Sequence, residues 1–114
     1  MGQPHEERRE LQRLSLEKPI AARLGNTEVQ IVDLGVIGAR VESAGSLPTT
    51  LQSTLHFESP RGPITLQCEI VHRAGASRAG LQFISASNGS DETLRRLLAD
   101  LVTAAIERLR WSGG

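Results

Sequence analysis

Apolar and polar residues alternate along two stretches of the chain, with the period of two that is typical of a half-buried β-strand. Residues 64–70 carry Ile, Leu, Cys and Ile at every second position, and residues 28–31 repeat the pattern more briefly. Turn residues separate four further apolar stretches, which predict strands at residues 20–24, 36–42, 51–57 and 80–84. We expect Leu51, Leu55 and Phe57 to share one face of their strand. The chain is therefore predicted to be mainly β, a six-stranded antiparallel barrel that closes and leaves no exposed sheet edge.

The period of the pattern changes after residue 89. Apolar residues then recur at intervals of three and four, which predicts a C-terminal amphipathic α-helix over about residues 90–111. The apolar stripe consists of Leu94, Leu97, Leu98, Leu101, Val102, Ala105, Ile106 and Leu109. Ser90 is the predicted N-cap, and the acidic residues that follow it suit the positive end of the helix dipole. The pattern leaves open whether the stripe packs on its own barrel or on a second subunit.

The first sixteen residues differ from the rest in being polar and densely charged. We interpret residues 1–16 as a flexible N-terminal arm, and residues 17–114 as one barrel domain with its C-terminal helix. A length of 114 residues suits a single domain with a core of ordinary size.

Composition narrows the classes of function. Thirteen basic residues balance thirteen acidic ones, which argues against a general electrostatic attraction to nucleic acid or to an acidic membrane. Cys68 is the only cysteine, so no intrachain disulfide forms, and we expect a cytoplasmic protein without membrane insertion. The sequence contains no nucleophile–base pattern, metal-ligand set or phosphate-binding glycine loop, so we expect no catalysis, no cofactor and no bound metal.

Two short motifs carry the candidate chemistry. Arg9 and Arg13 are four positions apart, and Asp33, Gly35 and Gly38 follow an apolar strand-like stretch. Guanidinium groups bind phosphates and the acceptor edge of guanine, and a carboxylate accepts hydrogen bonds from the guanine N–H groups. Together the motifs point to an anionic guanine nucleotide as the ligand.

The order and spacing of these motifs, followed by the segments IVHR and AGLQF, resemble a PilZ domain from about Arg8 to Phe83. The resemblance implies a bacterial β-barrel that binds cyclic di-GMP, often as an intercalated dimer of the nucleotide. It implies that Arg9 and Arg13, with Arg8 beside them, hold the phosphates and guanines, and that Asp33 contacts a guanine edge. It also implies that Gly38 keeps the backbone close to the ligand. For Arg73, a contact with the ligand and a plain surface role are equally open.

Gly35 departs from the family pattern (D/N)xSxxG, which has serine at this position. The missing hydroxyl removes one hydrogen bond, worth about 0.5–1.5 kcal/mol and therefore roughly three- to tenfold in affinity. We expect Gly35→Ser to bind the nucleotide more tightly than the natural chain. The departure also favours an alternative, a PilZ-fold interaction adaptor that does not bind cyclic di-GMP appreciably.

Plainer interpretations of both motifs also remain. The two arginines would then form a solvated charged face paired with the neighbouring glutamates, and the glycines a bulged turn between strands. If the ligand does bind, we expect it to pin residues 1–16 against the Asp33–Gly38 surface and so order the arm. The downstream effector protein stays unidentified, and the chain is expected to be a monomer or a homodimer.

Overall fold

The computed structural model describes residues 13–113. Its elements in chain order are β1 (Arg13–Leu24), β2 (Thr27–Gly35), β3 (Gly38–Glu42), β4 (Gln52–Ser59), β5 (Gly62–Ala74), β6 (Arg78–Ala86) and α1 (Ser90–Gly113). All strand pairs are antiparallel, and the order β1-β2-β3-β6-β5-β4 closes where β4 pairs with β1. The predicted fold, a closed six-stranded barrel followed by one helix, is confirmed.

The alternating residues identified in the sequence fill the barrel. Ile64, Leu66, Cys68 and Ile70 of β5 are all buried, and Val29 and Ile31 of β2 meet them in the same core. These stretches of β2 and β5 therefore turn their apolar residues inward and their polar residues outward, because side chains on a strand alternate between the two faces. Burial of these side chains supplies the main driving force for closing the barrel.

Three of the predicted boundaries need correction. β1 begins at Arg13, so residues 13–16 of the predicted arm belong to the barrel, where residues 13–15 pair with the end of β2. β3 begins at Gly38, because Val36 and Ile37 form an exposed bend between two strands. Leu51 precedes β4 and is 73% exposed, so it does not share the buried face of Leu55 and Phe57.

Helix α1 packs on its own barrel through the first half of its apolar stripe. Leu94 and Leu97 are buried, whereas Val102 and Ile106 further along the helix are exposed. Arg61, in the turn between β4 and β5, forms two hydrogen bonds with Asp100, at 2.7 and 2.9 Å. No helix in the described part of the chain is both long enough and apolar enough to cross a membrane.

The start of the helix differs from the prediction. The Ser90 hydroxyl accepts a hydrogen bond from the Thr65 backbone N–H at 2.9 Å, so it fastens the helix to β5. The backbone N–H of Thr93 is satisfied by the Gly89 carbonyl. Gly89 adopts a φ of 78°, which glycine tolerates because it has no Cβ.

Candidate ligand-binding site

One row of residues crosses the outer face of the barrel and organises the candidate site. Strand pairing places Ser15 of β1 opposite Asp33 of β2, and Asp33 opposite Arg40 of β3. Arg40 in turn lies opposite Gly80 of β6, and Gly80 opposite His72 of β5. Directly opposed residues project from the same face of a sheet. The row therefore brings together residues from five strands, which we call the cross-strand row.

Asp33 is the most constrained side chain of this row. The Ser15 hydroxyl donates a hydrogen bond to Asp33 Oδ1 at 2.9 Å. Arg40 Nε lies 3.7 Å from Asp33 Oδ2, which is an ion pair beyond direct hydrogen-bond distance. The side chain of Asp33 is 16% exposed, while that of Arg40 is 54% exposed. The carboxylate is thus fixed in position between two strands and still open to solvent on one side.

Gly38 occupies a position that excludes any side chain. A Cβ at this position would overlap the backbone carbonyl oxygen of Leu81 in β6. Gly38 does not have a positive φ, so its backbone conformation is not what requires glycine. Close contact between β3 and β6 is what requires glycine here. The bend before Gly38 is tied to β6 as well, because the Phe83 N–H donates to the Ile37 carbonyl at 2.9 Å.

Beside Gly38 lies an open groove of about 770 Å³. Its floor includes bare backbone at Gly38 and Gly80, and the His72 imidazole lies 3.6 Å from where a Cβ of residue 80 would be. The polar residues that line the groove are Arg13, Arg40, Glu42, His72, Arg78 and Gln82. Three arginines and one glutamate give the groove a local positive charge in a chain whose net charge is zero. A groove that combines bare backbone at two glycines with cationic side chains suits a planar, negatively charged ligand.

The charged walls of the groove are free to rearrange. Arg78 Nε is 3.7 Å from Glu42 Oε2, and both side chains are largely exposed. Exposed pairs at this separation contribute little stability because water screens them. A phosphate oxygen competes well for these guanidinium groups, since it offers charge-assisted hydrogen bonds of better geometry.

A second groove, of about 680 Å³, lies on β1, β2, β4 and the end of β3. Its charged residues are Arg23, Glu28, Glu42 and Glu58. Three glutamates against one arginine disfavour an anionic ligand by electrostatic repulsion. The groove beside Gly38 is therefore the better candidate for a nucleotide.

The structure brings some of the predicted site residues together and separates others. Arg13 and Gly38 line the groove, and Asp33 adjoins it through Arg40. Gly35 is buried and pairs with Arg13 across β1 and β2. Arg73 is directed elsewhere, since its guanidinium donates to the Thr50 carbonyl at 3.0 Å. The predicted ligand contacts of Arg8 and Arg9 lie outside the described residues.

Sequence reasoning did not identify Gly80 or several polar residues of the site, among them Ser15, Arg40, His72 and Arg78. The position of Arg40 could have been predicted, because it stands two residues after Gly38 and so on the same face of β3. For His72 the sequence pattern is misleading, since alternation from Cys68 and Ile70 would turn its side chain inward. An irregularity in the pairing of β5 with β6 between Ile70 and His72 turns it outward instead.

Comparison with known proteins bears on the family and the fold of the chain. The model of the PilZ domain family matches residues 5–100. The crystal structure of an uncharacterized Legionella protein, Lpg0364, is similar to this chain, with a TM-score of 0.54 and 25% sequence identity. The similarity covers 88% of this chain and 95% of the Legionella protein. No curated protein sequence matches the chain.

Proposed function

Because this chain belongs to the PilZ domain family, we propose that it is a receptor module for cyclic di-GMP that passes the signal to a partner protein. PilZ domains are receptor or adaptor modules without catalytic activity of their own. The groove beside Gly38 is the observation that carries the proposal, because it combines bare backbone at Gly38 and Gly80 with three arginines.

The chemistry of cyclic di-GMP matches this groove in two respects. The ligand carries two phosphate charges, and Arg13, Arg40 and Arg78 supply guanidinium groups around the floor. Its guanine rings are planar, so they can lie against backbone where Gly38 and Gly80 carry no Cβ. Asp33, next to Arg40, accepts hydrogen bonds from a guanine edge.

The output of the module passes through the segment that precedes β1. Arg13 stands both in the groove and at the first residue of β1, so it links the ligand to the chain before it. Arg8 and Arg9 add further phosphate and guanine contacts from that segment. Binding then fixes the segment against the barrel, which changes the surface that an effector protein recognises.

A second candidate function is an interaction adaptor that keeps the barrel without useful affinity for the nucleotide. Two observations favour it. Gly35 offers no hydroxyl where the family pattern has one, and Arg40 already pairs with Asp33. A ligand would have to displace that ion pair before it gained the carboxylate.

Calorimetric titration with cyclic di-GMP separates the two candidates. We expect binding in the micromolar range or tighter, and a loss of about tenfold or more for Arg13→Ala, because a hydrogen bond to a charged group is worth about 1.5–3 kcal/mol. Arg96→Ala is the matched control, since Arg96 lies on α1 and pairs with Glu92. It should bind like the natural chain. Absence of heat at high nucleotide concentration, with folded protein, would favour the adaptor.

A further inference from the structure

Ser15 has a contact that none of the family motifs includes. It is the residue of β1 directly opposite Asp33, and its hydroxyl donates to Asp33 Oδ1 at 2.9 Å. Among the described contacts of Asp33 it is the one at hydrogen-bond distance, since Arg40 Nε lies 3.7 Å away. Arg40 therefore attracts the carboxylate, whereas Ser15 sets its orientation.

We propose that Ser15 is a positioning residue for guanine recognition, which holds the Asp33 carboxylate in the orientation that accepts the guanine N–H groups. This inference rests on the proposed function as a cyclic di-GMP receptor. A carboxylate has about four acceptor positions on its two oxygens. The Ser15 hydroxyl uses one of them, which leaves acceptor positions on both oxygens for the two adjacent N–H groups of a guanine edge.

The strand pairing explains how serine comes to this position. Ile20 pairs with Ile31, and continuing that register would place Lys18 opposite Asp33. Instead residues 16–19 of β1 face a single residue of β2, and regular pairing resumes with Ser15 opposite Asp33. The irregularity thus replaces an ammonium group by a hydroxyl next to the carboxylate. Bulges of this kind re-aim side chains at binding sites.

The replacement matters because the two groups act differently on a carboxylate. A lysine opposite Asp33 would form an ion pair and compete with the ligand for the same oxygens. A neutral hydroxyl orients the carboxylate without adding a second positive charge to that of Arg40, so the ligand has one ion pair to displace and not two. Ser15 also lies on the same face of the sheet as Gly35. Residue 15 pairs with residue 33 and residue 13 pairs with residue 35, and residues two positions apart on a strand share a face. Ser15 thereby supplies a hydroxyl beside Gly35, which has none.

The test is a double-mutant cycle measured by calorimetry with cyclic di-GMP. We expect Ser15→Ala to weaken binding about three- to tenfold, the equivalent of one hydrogen bond. Ser15→Thr, which keeps the hydroxyl, should bind within about twofold of the natural chain. In the background of Asp33→Ala, the further change Ser15→Ala should have no effect, because there is no carboxylate left to orient. Ser85→Ala, on β6 away from the groove, is the matched control and should bind normally.

A second readout follows the carboxylate itself in the protein without nucleotide. The ¹³C resonance of the Asp33 carboxyl group should move in Ser15→Ala and stay in place in Ser15→Thr. If the natural chain binds and Ser15→Ala binds equally well, or if the two substitutions are additive, the positioning role is overturned while the receptor function stands. If folded natural protein fails to bind at all, the receptor function falls and the positioning role falls with it.

Discussion

Glycines at two places on the barrel show how the same residue type serves different physical needs. Gly38 is needed because the β6 backbone occupies the space of its Cβ. Gly45, in the connection between β3 and β4, has open space around the corresponding position. Neither of the two has a positive φ, so a difference between their alanine variants would come from the room around the Cβ and not from backbone strain.

The substitution Gly38→Ala should destabilise the barrel and abolish or strongly weaken nucleotide binding. The added methyl group forces β3 and β6 apart, and overpacking of this kind costs about 1–3 kcal/mol. Gly45→Ala is the matched control and should unfold like the natural chain. Urea unfolding followed by circular dichroism gives the free energy of unfolding of both variants. Equal midpoints for the two variants would show that the Leu81 carbonyl does not constrain residue 38.

Cys68 provides a second test at the scale of one residue. The thiol is fully buried in the barrel core, and burial raises its pKa from 9.0 to about 12. The folded chain therefore holds the thiol proton where the unfolded chain releases it. The resulting stabilisation is complete below pH 9 and is lost as the pH rises toward 12.

We expect the free energy of unfolding of the natural chain to fall more steeply above pH 9 than that of Cys68→Ala. Ala has no proton to release, so the difference between the two slopes of unfolding free energy against pH is caused by the thiol. Urea titrations from pH 7 to 10.5 measure it. In the same pH range, a thiol reagent should label unfolded protein at once and folded protein only slowly. Parallel slopes together with rapid labelling of the folded chain would contradict this description of the core.

At the scale of elements, three kinds of contact hold α1 against the barrel. Leu94 and Leu97 bury apolar surface, the Ser90 hydroxyl accepts from β5, and Asp100 pairs with Arg61. The hydrogen bonds from Arg61 lower the pKa of Asp100 below its ordinary value of 3.8. Their stabilising effect is therefore present above that value and is lost as the pH falls through the lower pKa of the folded chain.

The substitution Asp100→Asn should loosen α1 at neutral pH without unfolding the barrel. It removes the charge that Arg61 binds, and the exposed position of the pair makes the effect small. Hydrogen exchange of the α1 amides measures it, with exchange of the β5 amides as the internal reference. The difference from the natural chain should shrink as the pH falls below 3.8 and Asp100 itself becomes protonated. A difference that stays constant with pH would assign the effect to packing alone.

The sequence pattern predicted the barrel well because strand alternation and helix periodicity are local properties of the chain. The inward set on β5, from Ile64 to Ile70, follows directly from a period of two. The groove depends instead on pairing between distant strands. Ser15 reaches Asp33 only through an irregularity of β1, and His72 faces Gly80 only through one in β5. Such shifts reverse the face or the partner of a residue without any change in the local pattern.

At the scale of the whole molecule, the candidate site draws on most of the barrel. The cross-strand row runs over β1, β2, β3, β6 and β5, while α1 packs against β5. A ligand in the groove would touch the beginning of β1 and both glycines of the floor. Strand β4 takes no part in the groove and serves as the reference element.

The most direct measurement of the central claim is a nuclear magnetic resonance titration of the ¹⁵N-labelled chain with cyclic di-GMP. Amide shifts should be largest at residues 13–15, 38–42, 72–74 and 78–82, and small along β4. Cyclic di-AMP at the same concentration should produce weaker shifts, because adenine lacks the N–H pair that Asp33 accepts. Shifts centred on Arg23, His56 and Glu58, or no shifts at millimolar nucleotide, would contradict a cyclic di-GMP site beside Gly38.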